Sequence, residues 1–156
     1  MTAKPIPTGF HSITPHLIIR DAARAIEFYK QAFGAKEIAR MPGPDGKSIM
    51  HAEIQIGDSR IMLADEAPER DIRSPQTLGG TPVSIMLYVD DVDARYNKAI
   101  AAGAKELRPV KDQFYGDRSG CITDPFGHQW TIATHKENVS AEEIDRRMAA
   151  MMKQGG

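Results

Sequence analysis

The spacing of apolar residues predicts a strand and then a helix near the start of the chain. Residues 12–20 alternate around Leu17 and Ile19, as expected for a half-buried strand. Asp21 follows at the position of a helix N-cap, and Gly34 stands where a helix needs a left-handed C-cap. Between them, apolar residues recur at helical spacing on one face: Ala22, Ala25, Ile26, Tyr29 and Phe33.

Three further strands complete the first half, at residues 36–41, 49–56 and 60–64. In the middle strand His51, Glu53 and Gln55 alternate with apolar residues, so these polar side chains share the face that is not packed on helices. The predicted order is therefore βαβββ. Residues 65–82 are polar and contain Pro and Gly, which predicts a long surface connection.

The second half repeats this order, with strands at 83–89, 106–109, 119–123 and 129–134 and a helix at 92–102. A loop is predicted at 111–116 and a hairpin at 124–127. Ser140 and Glu143 then form a capping box that opens a last helix. One side of this helix is rich in methionine, so its own sheet or a second subunit should cover it: Ile144, Met148, Met151 and Met152.

A short exact repeat relates the two halves. The tetrapeptide Gly-Ala-Lys-Glu occurs at 34–37 and at 103–106, in each case after a strand that ends in aspartate, at Asp21 and Asp91. The offset is 70 residues at the aspartates and 69 at the tetrapeptides. This period is too long for a solenoid unit. It predicts two copies of one βαβββ unit packed against each other, with a ligand site in the seam between them.

Composition narrows the class of protein. A chain of 156 residues with 41% apolar and 26% charged residues is typical of one soluble globular domain. A net charge of −1 without a long basic run argues against a nucleic-acid partner. No apolar run is long enough for a membrane span, and residues 1–8 contain no secretory signal. With Cys121 as the single cysteine, we expect a cytoplasmic protein.

The repeat and several motifs resemble a known family. Two βαβββ units whose first strand ends at 17–21 are similar to the vicinal oxygen chelate superfamily, which includes glyoxalase I, extradiol dioxygenases, and bleomycin and fosfomycin resistance proteins. Within it, the dipeptide at 51–52 and the stretches at 61–66 and 113–130 resemble the PhnB-like branch. The resemblance covers about residues 10–138.

This resemblance implies an α+β fold in which two βαβββ modules form a cup-shaped incomplete barrel, and it implies a homodimer. It predicts a single domain over residues 1–138, made of repeats at about 10–66 and 82–135. The remaining residues, 139–156, form the C-terminal helix.

In metal-dependent members of the superfamily, each unit supplies two ligands that face the cup. The resemblance places these positions at Thr14, Met62, Ser84 and Thr131. Hydroxyl groups are weak neutral donors and a thioether prefers soft monovalent metals, so this set is unsuitable for a divalent ion. The expected metal site is therefore degenerate, and the cofactor stays unknown.

Strand alternation offers other candidates on the cup face. His16 shares the face of Thr14, and His51 and Glu53 are the candidate catalytic residues. Two histidines and a carboxylate could form a substitute metal site. Alternatively, His51 and Glu53 bond to each other, line a polar pocket, or are exposed to solvent.

Three more residues are predicted to bind substrate from the loop that enters a late strand: Gln113, Tyr115 and Arg118. Arg118 could clamp a carboxylate or phosphonate with its planar fork, or it could pair with Asp117 and fix the loop. We expect these residues to meet His16, His51 and Glu53 in one cavity.

Two functions fit this sequence. One is a binding or sequestering protein that accepts a small polar organic molecule and needs no metal ligands. The other is a metal-dependent lyase, isomerase or dioxygenase that uses the substitute His/Glu site, with His51 or Glu53 as the base.

Overall fold

A computed structural model describes residues 2–155. The first half contains β1 (His16–Ile19), α1 (Ala22–Phe33), β2 (Lys36–Pro42), β3 (Ile49–Ile56) and β4 (Ser59–Asp65). A short helix, α2 (Pro75–Leu78), lies in the connection. The second half contains β5 (Ser84–Tyr88), α3 (Val92–Ala101), β6 (Lys105–Asp112), β7 (Asp117–Thr123) and β8 (Gln129–His135), and α4 (Ala141–Gln154) follows. Residues 1 and 156, included in the predicted domain and terminal helix, lie outside the described residues.

The two halves have the same topology. The strand orders are β1-β4-β3-β2 and β5-β8-β7-β6, and neither sheet closes on itself. The first strand of each half pairs in parallel with the last, and the remaining pairs are antiparallel. The predicted α+β class and the βαβββ order of both halves are confirmed.

The helix signals in the sequence act as predicted. The Asp21 carboxylate accepts a hydrogen bond from the Arg24 backbone N–H and caps α1. Gly34 ends this helix with φ of 65°, a conformation that costs glycine little. Asp91 caps α3 in the same way, through the backbone N–H of Ala94. The same aspartate therefore starts the equivalent helix in each repeat.

The core joins the two halves. Helix α1 packs against α3, and Trp130 is 1% exposed. Buried Asp124, in the hairpin between β7 and β8, accepts hydrogen bonds from the Tyr29 hydroxyl at 2.6 Å and from Trp130 Nε1 at 2.9 Å. Because Tyr29 lies on α1, this carboxylate links the halves through polar as well as apolar contacts.

Glu66 organises the connection between the halves, which the sequence predicted only as a polar surface segment. Its carboxylate accepts hydrogen bonds from the Thr77 hydroxyl at 2.6 Å, the Ser74 backbone N–H at 2.9 Å and Arg20 Nε at 3.0 Å. These bonds lower the pKa of Glu66 to about 2. The segment also contains a 3-10 turn at Pro68–Arg70 and helix α2.

Several strand boundaries differ from the prediction. The first strand was predicted over residues 12–20, but β1 is only His16–Ile19, and Ile13 is 87% exposed. Strand β6 extends to Asp112 and β7 already begins at Asp117, which shortens the predicted loop. The pairing of β6 with β7 shifts register twice between Glu106 and Lys111, and this part of β6 also contains a proline. Periodicity alone therefore could not place the end of β6.

Helix α4 begins as predicted, because the Ser140 hydroxyl accepts a hydrogen bond from the Glu143 backbone N–H. Its methionine face is open: Met148, Met151 and Met152 are 38%, 53% and 73% exposed. Within residues 2–155 no part of the chain buries a residue of this helix. Among residues 2–155, no helix has the length and apolar character that crossing a membrane requires.

Candidate functional site

Each sheet has one face packed on helices and one open face. On β3 the alternation is clear, since Ala52 and Ile54 are buried whereas His51, Glu53 and Gln55 are half-buried. We call the helix-free side of β1–β4 the N-half open face and the equivalent side of β5–β8 the C-half open face. The candidate polar groups lie on these two faces.

The structure brings His16, His51 and Glu53 together on the N-half open face. Met62 pairs with both His16 and Glu53 in the sheet register, so these two residues flank Met62 on the same face. The imidazole rings of His16 and His51 meet edge to face at 6.1 Å between centroids. His51 Nε2 lies 3.4 Å from Glu53 Oε1, at the long end of hydrogen bonding. Burial, and the nearby His51, lower the pKa of His16.

Arg60 joins this group and was not predicted. Its Nη1 lies 3.9 Å from Glu53 Oε2, and its guanidinium stacks over the Phe10 ring at 5.6 Å. Arg60 Nε is buried and has no hydrogen-bond partner within residues 2–155. The available sequence signal was the alternation along β4, where Arg60 shares the face of Met62.

The residues present do not fit the metal that this fold can hold. Thr14, Met62, Ser84 and Thr131 offer three hydroxyls and a thioether, which suit divalent ions poorly. The predicted substitute site is also not formed: across residues 2–155, no group of three or more His, Cys, Asp or Glu side chains is placed to hold a metal. His51 Nε2 instead lies beside Glu53, and the imidazole rings of His16 and His51 meet edge to face.

A cavity of about 360 Å³ lies on the C-half open face. Gln113 and Tyr115, two of the predicted binding residues, line it. The other polar groups in its wall were not predicted to bind: Arg108, Lys111, Ser119, Cys121 and Thr131. Arg108 Nη2 donates to the Cys121 thiol at 3.2 Å, and Cys121 Sγ lies 3.2 Å from the Thr131 hydroxyl. The β6 register shifts hid Arg108 from sequence reasoning.

Arg118 does not line this cavity, so the prediction that it lies in the site is wrong. Its guanidinium forms a bidentate pair with Asp93 of α3, at 2.8 and 2.9 Å, and a bond to Asp112 at 3.2 Å. Because β7 begins at Asp117, Arg118 belongs to a strand. The alternation of side chains along this strand directs Arg118 toward helix α3. The predicted Asp117–Arg118 pair is also absent from these contacts.

Asp117 instead forms a separate network. Its buried carboxylate accepts hydrogen bonds from the Tyr88 hydroxyl at 2.8 Å and from His135 Nδ1 at 2.7 Å. His135 Nε2 lies 2.8 Å from the Asn138 side-chain oxygen. Bonds to Asn138 and to Asp117 raise the pKa of His135. The network ties the end of β8 to β5 and β7.

Within residues 2–155 the predicted site residues do not converge on one cavity, contrary to expectation. The walls of the C-half cavity contain no residue of the first half. Two cavities of about 490 and 560 Å³ do lie in the seam between the halves, where the repeat predicted a ligand site. Their walls are mainly apolar, and of the predicted site residues only His16 lines one of them.

The topology and the motif at the second hairpin define a class of protein. The chain belongs to the Glyoxalase/Bleomycin resistance protein/Dioxygenase superfamily, whose family model matches residues 9–132. It is similar to protein Mb0911c of Mycobacterium bovis, with 45% identity over 147 residues, covering 92% of this chain and 94% of that relative.

Solved structures share the fold. TioX from Micromonospora sp. ML1 matches with a TM-score of 0.63 and 26% identity, covering 80% of this chain and 98% of TioX. The PhnB protein from Bacillus cereus matches with a TM-score of 0.63 and 16% identity, covering 80% of this chain and 99% of that protein. At this identity the second likeness shows the fold alone.

Proposed function

We propose that this protein binds a small polar organic molecule between the open faces of two chains that pair as a homodimer. The observation that carries the proposal is that His51 and Glu53 on one open face and Gln113 and Tyr115 on the other line no common cavity within residues 2–155. Pairing the N-half open face of one copy with the C-half open face of another would enclose both groups, twice per dimer.

Exposed apolar side chains on both sheets support this pairing. Met41, which pairs with His51 in the N-half, is 56% exposed, and Met86 and Tyr88 in the C-half are 48% and 58% exposed. Clusters of large apolar side chains on a surface are typical of interaction sites. A two-fold dimer would use the same two surfaces on each copy and would leave neither open.

On this proposal, His51 and Glu53 face the ligand from one chain, and Gln113 and Tyr115 face it from the partner subunit. We favour binding or sequestration because, among residues 2–155, no group of three or more His, Cys, Asp or Glu side chains is placed to hold a metal. We further propose a cytoplasmic location and a place in the PhnB-like branch. The motif at 113–130 carries the branch assignment.

Sedimentation velocity tests the pairing. Met86→Glu places a charge on the C-half open face and should convert a wild-type dimer to monomer at micromolar concentration. Ile100→Glu is the matched control, because Ile100 is 36% exposed on α3, away from that face. A wild-type monomer, or a Met86→Glu dimer as tight as wild type, would contradict the pairing.

NMR tests the binding. Small polar compounds, neutral and charged, should shift the backbone amides of Gln55 on one open face and Ser119 on the other in the same titration. Shifts restricted to the seam residues would contradict the proposed site. Elemental analysis that finds about one equivalent of a divalent metal would instead favour the metal-dependent alternative.

A further inference from the structure

We infer that the C-half cavity binds an anionic group of the ligand, of the carboxylate, phosphonate or phosphate class, through Arg108 and Lys111. The inference deepens the proposed function and rests on it for the choice of face. Both cations line the cavity, whereas its wall contains no carboxylate among the described residues.

The guanidinium of Arg108 is available for a ligand. Its side chain donates to the Cys121 thiol and forms no ion pair with any residue in the range 2–155. Other arginines differ: the fork of Arg118 is filled by Asp93, and that of Arg147 by Glu137 and Glu143. A thiol is a weak acceptor, so Arg108 retains most of its capacity to donate hydrogen bonds.

Carboxylates near the cavity are already engaged elsewhere. Glu106 accepts a hydrogen bond from the Tyr96 hydroxyl at 2.7 Å, and Asp112 bonds to Arg118. Asp117 is held by Tyr88 and His135. None of these groups is placed to neutralise Arg108 or Lys111, so the cavity keeps an excess of positive charge.

The partner subunit in the proposed dimer does not remove this excess. The carboxylate that the N-half open face would present is Glu53, and within its own chain it already neighbours His51 and Arg60. The positive charge therefore remains for a ligand.

The remaining wall suits a small oxyanion. Ser119, Tyr115 and Thr131 supply hydroxyls, and Gln113 supplies an amide. An arginine fork can hold two oxygens of a carboxylate or phosphonate, and lysine adds a point charge. A volume of about 360 Å³ lies at the small end of ligand pockets, which favours a compact anion.

The test is a ¹H–¹⁵N NMR titration with methylphosphonate, acetate and neutral acetamide at constant ionic strength. Methylphosphonate and acetate should give saturable shifts of the Gln113, Ser119 and Gly120 amides. Arg108→Ala should weaken the apparent affinity by about tenfold or more, the effect of losing hydrogen bonds to a charged group. Arg108→Lys should recover part of the affinity, because an ammonium lacks the planar fork.

Lys111→Gln should weaken anion binding, whereas the matched control Lys105→Gln, on the same strand but outside the cavity wall, should leave it unchanged. The dispersion of the amide signals reports whether each variant folds. If Arg108→Ala does not fold, Arg108→Lys replaces it in the affinity comparison. Unchanged anion affinity in the Arg108 variant would overturn the inference.

The outcomes also separate this inference from the proposed function. If acetamide shifts the same amides and the anions do not, the anion inference fails while the proposed binding site stands. If no compound shifts these amides and Met86→Glu leaves the oligomer unchanged, the proposed function fails as well. Equal shifts near every surface lysine would show nonspecific charge screening. That result would overturn the anion inference and leave the proposed function standing.

Discussion

At the scale of single residues, two histidines occupy opposite electrostatic environments. His16 faces His51, and burial together with this second imidazole lowers the pKa of His16 below its usual 6.5. His135 faces Asn138 and the Asp117 carboxylate, and these bonds raise the pKa of His135 above 6.5. The N-half open face therefore disfavours a protonated His16, whereas the edge of the C-half stabilises a protonated His135.

We expect His16 to titrate below pH 6.5 and His135 above it in NMR spectra of the imidazole protons. His51→Ala should raise the pKa of His16 only part of the way to 6.5, because burial is the larger cause. Asn138→Ala should lower the pKa of His135. Each histidine is the control for the other, and a shared titration midpoint would contradict both assignments.

These shifts affect stability with opposite signs. The unfolded chain protonates His16 more readily than the folded chain, so its contribution is full above pH 6.5 and falls as the pH drops toward the folded pKa. The folded chain protonates His135 more readily, so its contribution is full below pH 6.5 and is lost as the pH rises through the folded pKa.

At the scale of elements, the hairpin between β7 and β8 is tied to helix α1. Buried Asp124 accepts from Tyr29 and Trp130 and also from the backbone N–H groups of Phe126 and His128, at 2.9 and 3.0 Å. Burying a carboxylate costs free energy unless hydrogen-bond donors replace the water that it loses. Tyr29 supplies the one donor that comes from the other half of the chain.

Tyr29→Phe should lower the free energy of unfolding by about 1–3 kcal/mol, because it removes a donor from a buried charged acceptor. Urea denaturation followed by circular dichroism measures the change. Tyr115→Phe is the matched control: Tyr115 is 38% exposed, and its loss of a hydroxyl should cost less than about 0.5 kcal/mol. Equal effects of the two substitutions would show that the Asp124 bond contributes little.

The elements also show what the sequence could and could not predict. Period-two alternation on β3 placed His51 and Glu53 on the open face without any knowledge of the fold. The same reasoning failed for Arg118, because it took β7 to begin at Ser119 and so treated Arg118 as part of a loop. Arg108 was missed since the two register shifts of β6 break the alternation there. Periodicity predicts regular strands well and irregular edge strands poorly.

At the scale of the whole molecule, α4 is an addition to the shared fold. The family model ends at residue 132, and TioX is covered over 98% of its length by only 80% of this chain. The polar side of α4 is anchored to its own chain, because Arg147 bonds to Glu137 and to the Phe114 carbonyl. This anchor leaves the methionine face pointing outward, where a second copy of the chain could cover it.

Deleting residues 140–155 should therefore raise the dissociation constant of the dimer by about tenfold or more, equivalent to about 1.4 kcal/mol. Full burial of one methionine is worth about 1.5–3 kcal/mol, so even partial cover of this face would suffice. Sedimentation over a concentration series measures the constant. In the full chain, Met148→Gln with Met151→Gln should reproduce most of the effect, and Lys153→Gln should not. A truncated chain that pairs as tightly as the full chain would show that α4 lies outside the dimer interface.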